Sequence, residues 1–408
     1  MKILHTSDWH LGRSLYNKKR YDEFKAFLEW LIEFINREKI DLLLVAGDIF
    51  DTTTPSNRAQ ELYYQFLGKI PKTCCRHVVI IGGNHDSPTL LDAPKTILSS
   101  IDVHVVGAKT DNPEDEVIIL KNKKGTTEAI VCAVPFLRDR DVRTVEPGEN
   151  PGDKTRKLLD GIASRYREIV ELAQRQRGDK NSAPIIGMGH LFTRNARTTE
   201  GDGVRELYIG TIAHIDEEQI SEGFDYIALG HLHLAQHAGN SETVRYSGSP
   251  LAMGFSEAGQ TKKVIVADFK NKVPVFTEYP VPCFQELIKI SGDVDALTGR
   301  IEELKKEGSL AWLEIEITNY TAETNLTAYF DELLAGSSLE ILRIKNNALA
   351  ERALSRASET ETLETLDPSE VFIRCLDAYE IPEEGRGILI ETYNEAMDSW
   401  QNADTNAN

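Results

Sequence analysis

Five short blocks of this chain carry side chains of the kinds that bind divalent metals: Ser7-Asp8-Trp9-His10, Gly47-Asp48, Gly83-Asn84-His85-Asp86, Gly189-His190 and Gly230-His231-Leu232-His233. Mixed carboxylate, amide and imidazole donors suit Mn²⁺, Fe²⁺ or Zn²⁺ better than Mg²⁺. Asp8 and His10 are two residues apart, as are His231 and His233, so in extended chain each pair faces one side. Asp48 stands alone after its apolar run, where one carboxylate can bridge two cations. Two cations about 3.5–4 Å apart suit in-line attack on a phosphodiester. Singly, each block has a plainer reading: Gly-Asp is a common strand ending, and a lone histidine such as His190 is more often a satisfied core or loop residue. Together they predict seven ligands delivered from five strand ends to one place.

The elements that must do the positioning are legible as periodicity. Lys2–Ser7, Asp41–Ala46 and His77–Ile81 are short apolar runs ending in polar, glycine-containing loops. Phe24, Phe27, Leu28, Leu31, Ile32 and Ile35 recur at helical spacing, which predicts a helix over 20–38, with a second over 57–69. This is βαβ logic, with a sheet covered on both faces. Val117–Lys121 and Glu128–Val134 flank a hairpin turn. A helix follows over about 155–177, then strands at Pro184–Gly189 and Asp225–Gly230, with further antiparallel strands over 244–279. In α/β folds ligands gather at the carboxyl ends of strands, where these blocks fall.

From about 284 the pattern restarts as a compact βαβαβ unit: Gln285–Ile290, Val294–Lys306, Leu310–Ile317, Asn325–Leu334 and Leu339–Ile344. The domains expected are therefore 1–280, 281–345, a linker at 346–366, and a helix pair at 367–402. Asp367, Pro368 and Glu370 form a helix start. Val371, Phe372, Leu376 and then Leu389, Tyr393, Met397 mark two apolar stripes, which serve either the body of the chain or a partner helix.

The formal net charge is −19, awkward for a protein that handles nucleic acid, but residues 346–408 supply more than half of it with 14 acidic and 4 basic side chains. A partner that supplies phosphate-binding surface would reconcile the two. The five cysteines have neither CxxC nor zinc spacing, and the first residues have no signal-like apolar region, so reduced thiols in the cytoplasm are expected.

The blocks D-x-H, GD, GNHD, GH and GHxH resemble the calcineurin-like metallophosphoesterase superfamily. Ser7-Asp8-Trp9-His10-Leu11-Gly12-Arg13, the following Arg20 and Glu23-Phe24, and Ala46-Gly47-Asp48-Ile49-Phe50-Asp51 resemble more narrowly the SbcD family, the nuclease subunits of bacterial SbcCD complexes. The motifs are specific over 1–255; from 284 only the layout and the final helices agree. The resemblance implies a four-layer α-β-β-α sandwich with a small α+β capping domain and C-terminal helices. It implies two divalent ions, Mn²⁺ foremost, one held by Asp8, His10 and His233, the other by Asn84, His190 and His231, with Asp48 between them. His85 would act as general acid, and Asp86 would orient His85 or its loop.

The implied activity is double-strand 3′–5′ exonuclease and single-strand or hairpin endonuclease, in DNA repair, recombination and replication. The implied partner is an SMC-like SbcC ATPase, in a heterotetramer of two chains of each kind. The resemblance favours Val371, Phe372, Leu376, Leu389, Tyr393 and Met397 as its contacts. Helices 20–38 and 57–69 would pair in a homodimer, with burial against their own sheet the rival. Arg13, Lys18, Lys19, Arg20 and Arg194 flank the blocks. Most such charges are simply solvated, but some are expected on DNA phosphates. The alternatives are another phosphodiesterase of this fold, acting on nucleotides or phosphoproteins, and a non-enzymatic scaffold.

Overall fold

The computed structural model describes residues 1–143, 149–178, 182–194, 196, 214–270, 272–318, 326–346, 369, 372–373, 376 and 386–394. It divides into two compact units, Met1–Leu287 and Ile288–Asn408.

The larger unit is built on two six-stranded sheets. The first runs in the order Val273–Pro280, Lys263–Lys270, Lys2–Thr6, Leu42–Ala46, His77–Ile81, Val103–Val106, its last four strands parallel. The second runs Gln236–His237, Val244–Tyr246, Tyr226–Gly230, Ile185–His190, Thr127–Ala133, Val117–Lys121, with a parallel centre and antiparallel edges. Side chains alternate across each strand. Leu43 and Val45 face the helices Tyr21–Glu38 and Asn57–Lys69, whereas Leu42, Leu44 and Ala46 pack with Ile186, Met188, Tyr226 and Ala228 of the opposite sheet. Ile185, Ile227 and Leu229 turn the other way, onto Leu158, Tyr166 and Ile169 of the helix Pro151–Arg177. The layers are therefore helix, sheet, sheet, helix, as the resemblance implies. Covering both faces of a strand explains why these segments read as unbroken apolar runs.

Some boundaries differ from expectation. The helix expected over about 155–177 begins at Pro151, because Asn150 caps it by accepting from Asp153 N–H and Pro151 suits the first turn. Val244–Tyr246, expected to be antiparallel, is so towards Gln236–His237 but pairs in parallel with Tyr226–Gly230; three residues carry no signal of direction, and the neighbouring strands set it. The helices Tyr21–Glu38 and Asn57–Lys69 bury Phe24, Phe27, Leu28, Leu31, Phe34, Ile35, Ala59, Leu62, Tyr63, Phe66 and Leu67 within this chain. Most of the apolar surface behind the homodimer expectation thus lies on its own sheet, while Ile32 stays half-buried.

In the smaller unit, strands Trp312–Ile317 and Glu340–Asn346 pair in parallel, in a three-stranded sheet completed by Leu287–Gly292. Helices Val294–Lys306 and Leu326–Leu334 contribute Leu297, Ile301 and Phe330 to a core with Leu313 and Ile315. Further along, Phe372 and Tyr393 stack with centroids 4.2 Å apart, and Leu376 is buried. Leu389 is exposed. Val371, Met397 and nearly all of the expected linker lie outside the described residues.

Candidate metal centre

Every block lies at or just beyond the carboxyl end of a strand: Lys2–Thr6, Leu42–Ala46 and His77–Ile81 in the first sheet, Ile185–His190 and Tyr226–Gly230 in the second. The loops are bent hard to reach one point. Asp8, His10, Asp48 and His231 have φ of 53°, 46°, 51° and 98°. Such backbone costs about 1–3 kcal/mol per residue and persists only where the surroundings impose it. Here the loops hold one another: Asp8 N–H donates to Gly47 O at 3.0 Å, His10 N–H to Asp48 O at 3.0 Å, and His231 N–H to Asp8 Oδ1 at 2.9 Å. Glycine is required by closeness. A Cβ at Gly47 would overlap the His190 ring, and one at Gly83 would overlap the Asp48 carboxylate.

The donors converge as two buried groups, Asp8–His10–His233 and Asp48–His190–His231, each with ligand atoms within 4.8 Å of one another. Asn84 Oδ1 lies 3.0 Å from His190 Nε2 and 2.9 Å from His231 Nδ1. Asp48 Oδ2 stands between the groups, 3.3 Å from His190 Nε2 and 3.6 Å from His10 Nε2. His10 Nε2 and His233 Nε2 are 3.2 Å apart, as are His190 Nε2 and His231 Nδ1. Each such pair is close enough to share one N–H between its nitrogens, and a cation in place of that proton would find both nitrogens as donors. The donor set thus fits divalent ions.

In the metal-free chain the buried groups of the site act on one another's charge. Burial lowers His190, but the carboxylate of Asp48 overrides it and raises the imidazole to about 9. Burial holds His10 down at about 4 and His231 well below the usual range. Burial raises Asp8 to about 6, against the pull of His190 and His233.

His85 is buried beside the centre. Its Nδ1 lies 2.8 Å from the main-chain oxygen of Asp51, which fixes the proton on Nδ1 and leaves Nε2 for a reacting group. The ring packs edge-on to His10 at 4.8 Å. A third group of possible ligands, His10, Asp51 and His85, surrounds this point. Asp86, expected beside His85 among catalytic residues, is fully buried and accepts from the main-chain N–H of Gly83, Ile49 and Phe50 at 2.9, 3.1 and 2.9 Å. It therefore staples the Gly83–His85 loop to the Asp48 loop and does not touch the reacting region.

The basic residues divide. Arg20 is a correction to the DNA-contact expectation: it is 2% exposed and grips Glu23 with two hydrogen bonds of 2.7 and 2.8 Å, so its charge is neutralised within the fold and does not reach phosphate. Arg13 bonds Asp51 Oδ1 and Met253 O, both at 3.2 Å. Lys18 and Lys19 form one side of a small hairpin with Ser14–Leu15, Lys19 exposed. Arg194 is exposed and paired with Asp216.

Two residues with a place in the centre escaped the sequence. Glu257, 1% exposed, lies 3.2 Å from His233 Nδ1 and is held by Met253 N–H at 2.9 Å and by Lys262. Asp51 Oδ1 stands 3.3 Å from His10 Nδ1, outside hydrogen-bond alignment, so its influence there is electrostatic. Asp51 was visible only as part of a family string. Glu257 sits in Gly-Phe-Ser-Glu-Ala-Gly, which has no spacing to any ligand.

Sandwich and convergent loops define a metallophosphoesterase. The family model described as calcineurin-like phosphoesterase matches residues 1–235, and the chain belongs to that class. Residues 283–380 match a second family model, SbcD_C, described as type 5 capsule protein repressor C-terminal domain. The D subunit of the SbcCD nuclease of Escherichia coli (strain K12) is 36% identical over 94% of each chain. Its counterpart in Bacillus subtilis (strain 168) is 31% identical over 78% of this chain and 79% of its own. The Rhodobacter capsulatus counterpart is 34% identical over 66% of each. The chain belongs to the SbcD family. Among the described residues no helix is long and apolar enough to cross a membrane.

Proposed function

We propose that this chain is a Mn²⁺-dependent DNA nuclease that hydrolyses phosphodiesters as the nuclease subunit of a complex with an ATPase. The observation that carries the reading is the meeting of seven donor side chains from five strand ends around Asp48. Asp8, His10 and His233 would hold one divalent ion, Asn84, His190 and His231 the other, and Asp48 both. Such a pair of ions supplies Lewis acidity for the phosphoryl oxygens and a nucleophile at neutral pH.

The chain's own residues do the rest. The strained loops fix the donors before substrate arrives, so little reorganisation accompanies reaction. As the imidazolium, His85 keeps its Nδ1 proton on the Asp51 carbonyl and gives its Nε2 proton to the leaving oxygen, ending as the neutral Nδ1–H tautomer. Asp86 keeps His85 in register with Asp48 by tying their loops together.

Duplex 3′–5′ exonuclease and single-strand or hairpin endonuclease action in DNA repair and recombination extend this reading, in a cytoplasm consistent with the free cysteines 74, 75, 132 and 283. The 281–345 region would cap the cleft. The helix pair, with Leu389 exposed, would dock the ATPase in a heterotetramer. Identity over nearly the whole length to nuclease subunits disfavours a nucleotide or phosphoprotein substrate. The test is incubation of the purified chain, with and without its ATPase, with Mn²⁺ and linear duplex or hairpin DNA. Cleavage is expected; none under either condition would end the proposal.

A further inference from the structure

Each of the four histidines in the centre turns one nitrogen inward, and what stands behind the other nitrogen differs. Behind His233 is the carboxylate of Glu257, 3.2 Å from Nδ1. Behind His10 is the carboxylate of Asp51, 3.3 Å from Nδ1. Behind His190 is only a main-chain carbonyl, Ala46 O, 2.9 Å from Nδ1. His231 Nε2 is buried and has no hydrogen-bond partner among the described residues, its ring packed edge-on against Phe192 at 4.1 Å.

We propose that the two cation positions are unequal: the Asp8–His10–His233 position holds its ion tightly, and the Asn84–His190–His231 position exchanges its ion readily, with Glu257 and Asp51 the positioning residues that create the difference. This rests on the ligand allocation proposed above.

Three physical effects point the same way. A carboxylate that accepts a hydrogen bond behind an imidazole, as Glu257 does from His233, fixes its tautomer and makes the inward nitrogen a better donor, and removing such a partner typically weakens metal binding about 10–100-fold; Asp51, outside hydrogen-bond alignment, acts on His10 by its charge alone. The first position has its own ligand carboxylate, Asp8, where the second has the neutral amide Asn84, and ligand charge tunes affinity. The backing groups are also immobile. Glu257 is 1% exposed and pinned by Met253 N–H and Lys262, while Asp51 is pinned by Arg13 at 3.2 Å. Lys262 also donates to His233 O at 3.1 Å, so one buried cation ties the positioning carboxylate to the main chain of the ligand it positions. At limiting metal the chain would then carry one ion, and the second would set the metal dependence of cutting.

The experiment is calorimetric titration of the full chain, stripped by chelation, with Mn²⁺ alone. Two binding steps at least about tenfold apart are expected. Glu257→Gln should weaken the tighter step about 10–100-fold and leave the looser one unmoved. Asp51→Asn should act on the same step, and Asn84→Ala should remove the looser step only. Thermal melting of each variant checks folding; should Glu257→Gln fail to fold, Asp51→Asn reads the same step. Two equal steps, or a Glu257→Gln or Asp51→Asn effect confined to the looser one, would overturn the inequality while leaving the two-ion reading intact. A wild-type chain that binds no Mn²⁺ would overturn both.

Discussion

The Nδ1 of His85 lies 2.8 Å from the main-chain oxygen of Asp51, three residues beyond Asp48. The imidazole is thereby oriented by backbone, and its reactive nitrogen is independent of the ligand side chains. His85→Ser should therefore lower DNA cleavage by about 10²–10⁴-fold, the usual worth of a general acid. Mn²⁺ stoichiometry and DNA affinity should stay at wild-type values. Cleavage that survives, or Mn²⁺ binding that disappears, would remove His85 from the role of proton donor.

Gly83 leaves no room for a side chain beside the Asp48 carboxylate. Gly83→Ala must push Asp48 or its loop aside, with the cost of overpacking a buried site, about 1–3 kcal/mol. A lower melting temperature and loss of bound Mn²⁺ are expected together. An unaltered melting curve with full metal content would show that the loop yields freely.

Arg20 and Lys19 are adjacent in sequence but opposite in surroundings. Arg20 is buried against Glu23, so Arg20→Ala should cost about 3–5 kcal/mol of stability by leaving that carboxylate unpaired. Lys19→Ala and Arg194→Ala, both at exposed sites, should leave stability unchanged, weaken DNA binding and flatten its salt dependence by roughly one unit for each phosphate no longer neutralised. Urea melts and binding titrations at several salt concentrations separate the two behaviours.

His5 gives the chain a sensitivity to acid. It is fully buried, with Nε2 3.1 Å from Leu229 O and Nδ1 2.7 Å from the Tyr226 hydroxyl. Burial lowers it from 6.5 to about 3, against the weaker pull of the Leu229 carbonyl. Between those values the unfolded chain binds a proton that the folded chain refuses. Its contribution to stability is thus complete above pH 6.5 and is lost as pH falls towards 3, by up to about 1.4 kcal/mol per pH unit. In urea unfolding of metal-free protein, His5→Gln should show a shallower decline over this range. An identical slope would mean that His5 does not titrate there.

Leu389 is exposed, whereas the neighbouring Tyr393 stacks on Phe372. Leu389→Asp should leave the melting temperature alone and reduce co-purification of the ATPase at least several-fold. Undiminished co-purification would argue that the helix pair serves the body of the chain.

The five donor-bearing blocks could be read from the sequence because their chemistry is local, donors at the end of an apolar run, while the resemblance picked the seven ligands from among their side chains. Most strands of the sandwich were legible for a related reason, whereas the short Val103–Val106 and Gln236–His237 were not foreseen. Residues such as Leu42 to Ala46 are buried on both sides, so they stay apolar without alternation. The same local view misjudged Arg20, because a positive charge near a metal loop looks alike whether it faces solvent or a buried glutamate.

By itself, then, the sequence determined the donor chemistry, the places of most strands along the chain and a second βαβαβ pattern, since these depend on residue type and near-neighbour spacing. Tertiary structure alone decided which atoms meet. Only folding brings Glu257 to His233, sets Asp51 behind both His10 and His85, leaves His231 Nε2 without a partner among the described residues, and diverts Asp86 to the backbone. The reason is physical: a hydrogen bond or ion pair is fixed by distances of about 3 Å, and the spacing of residues far apart in a chain carries no information at that scale.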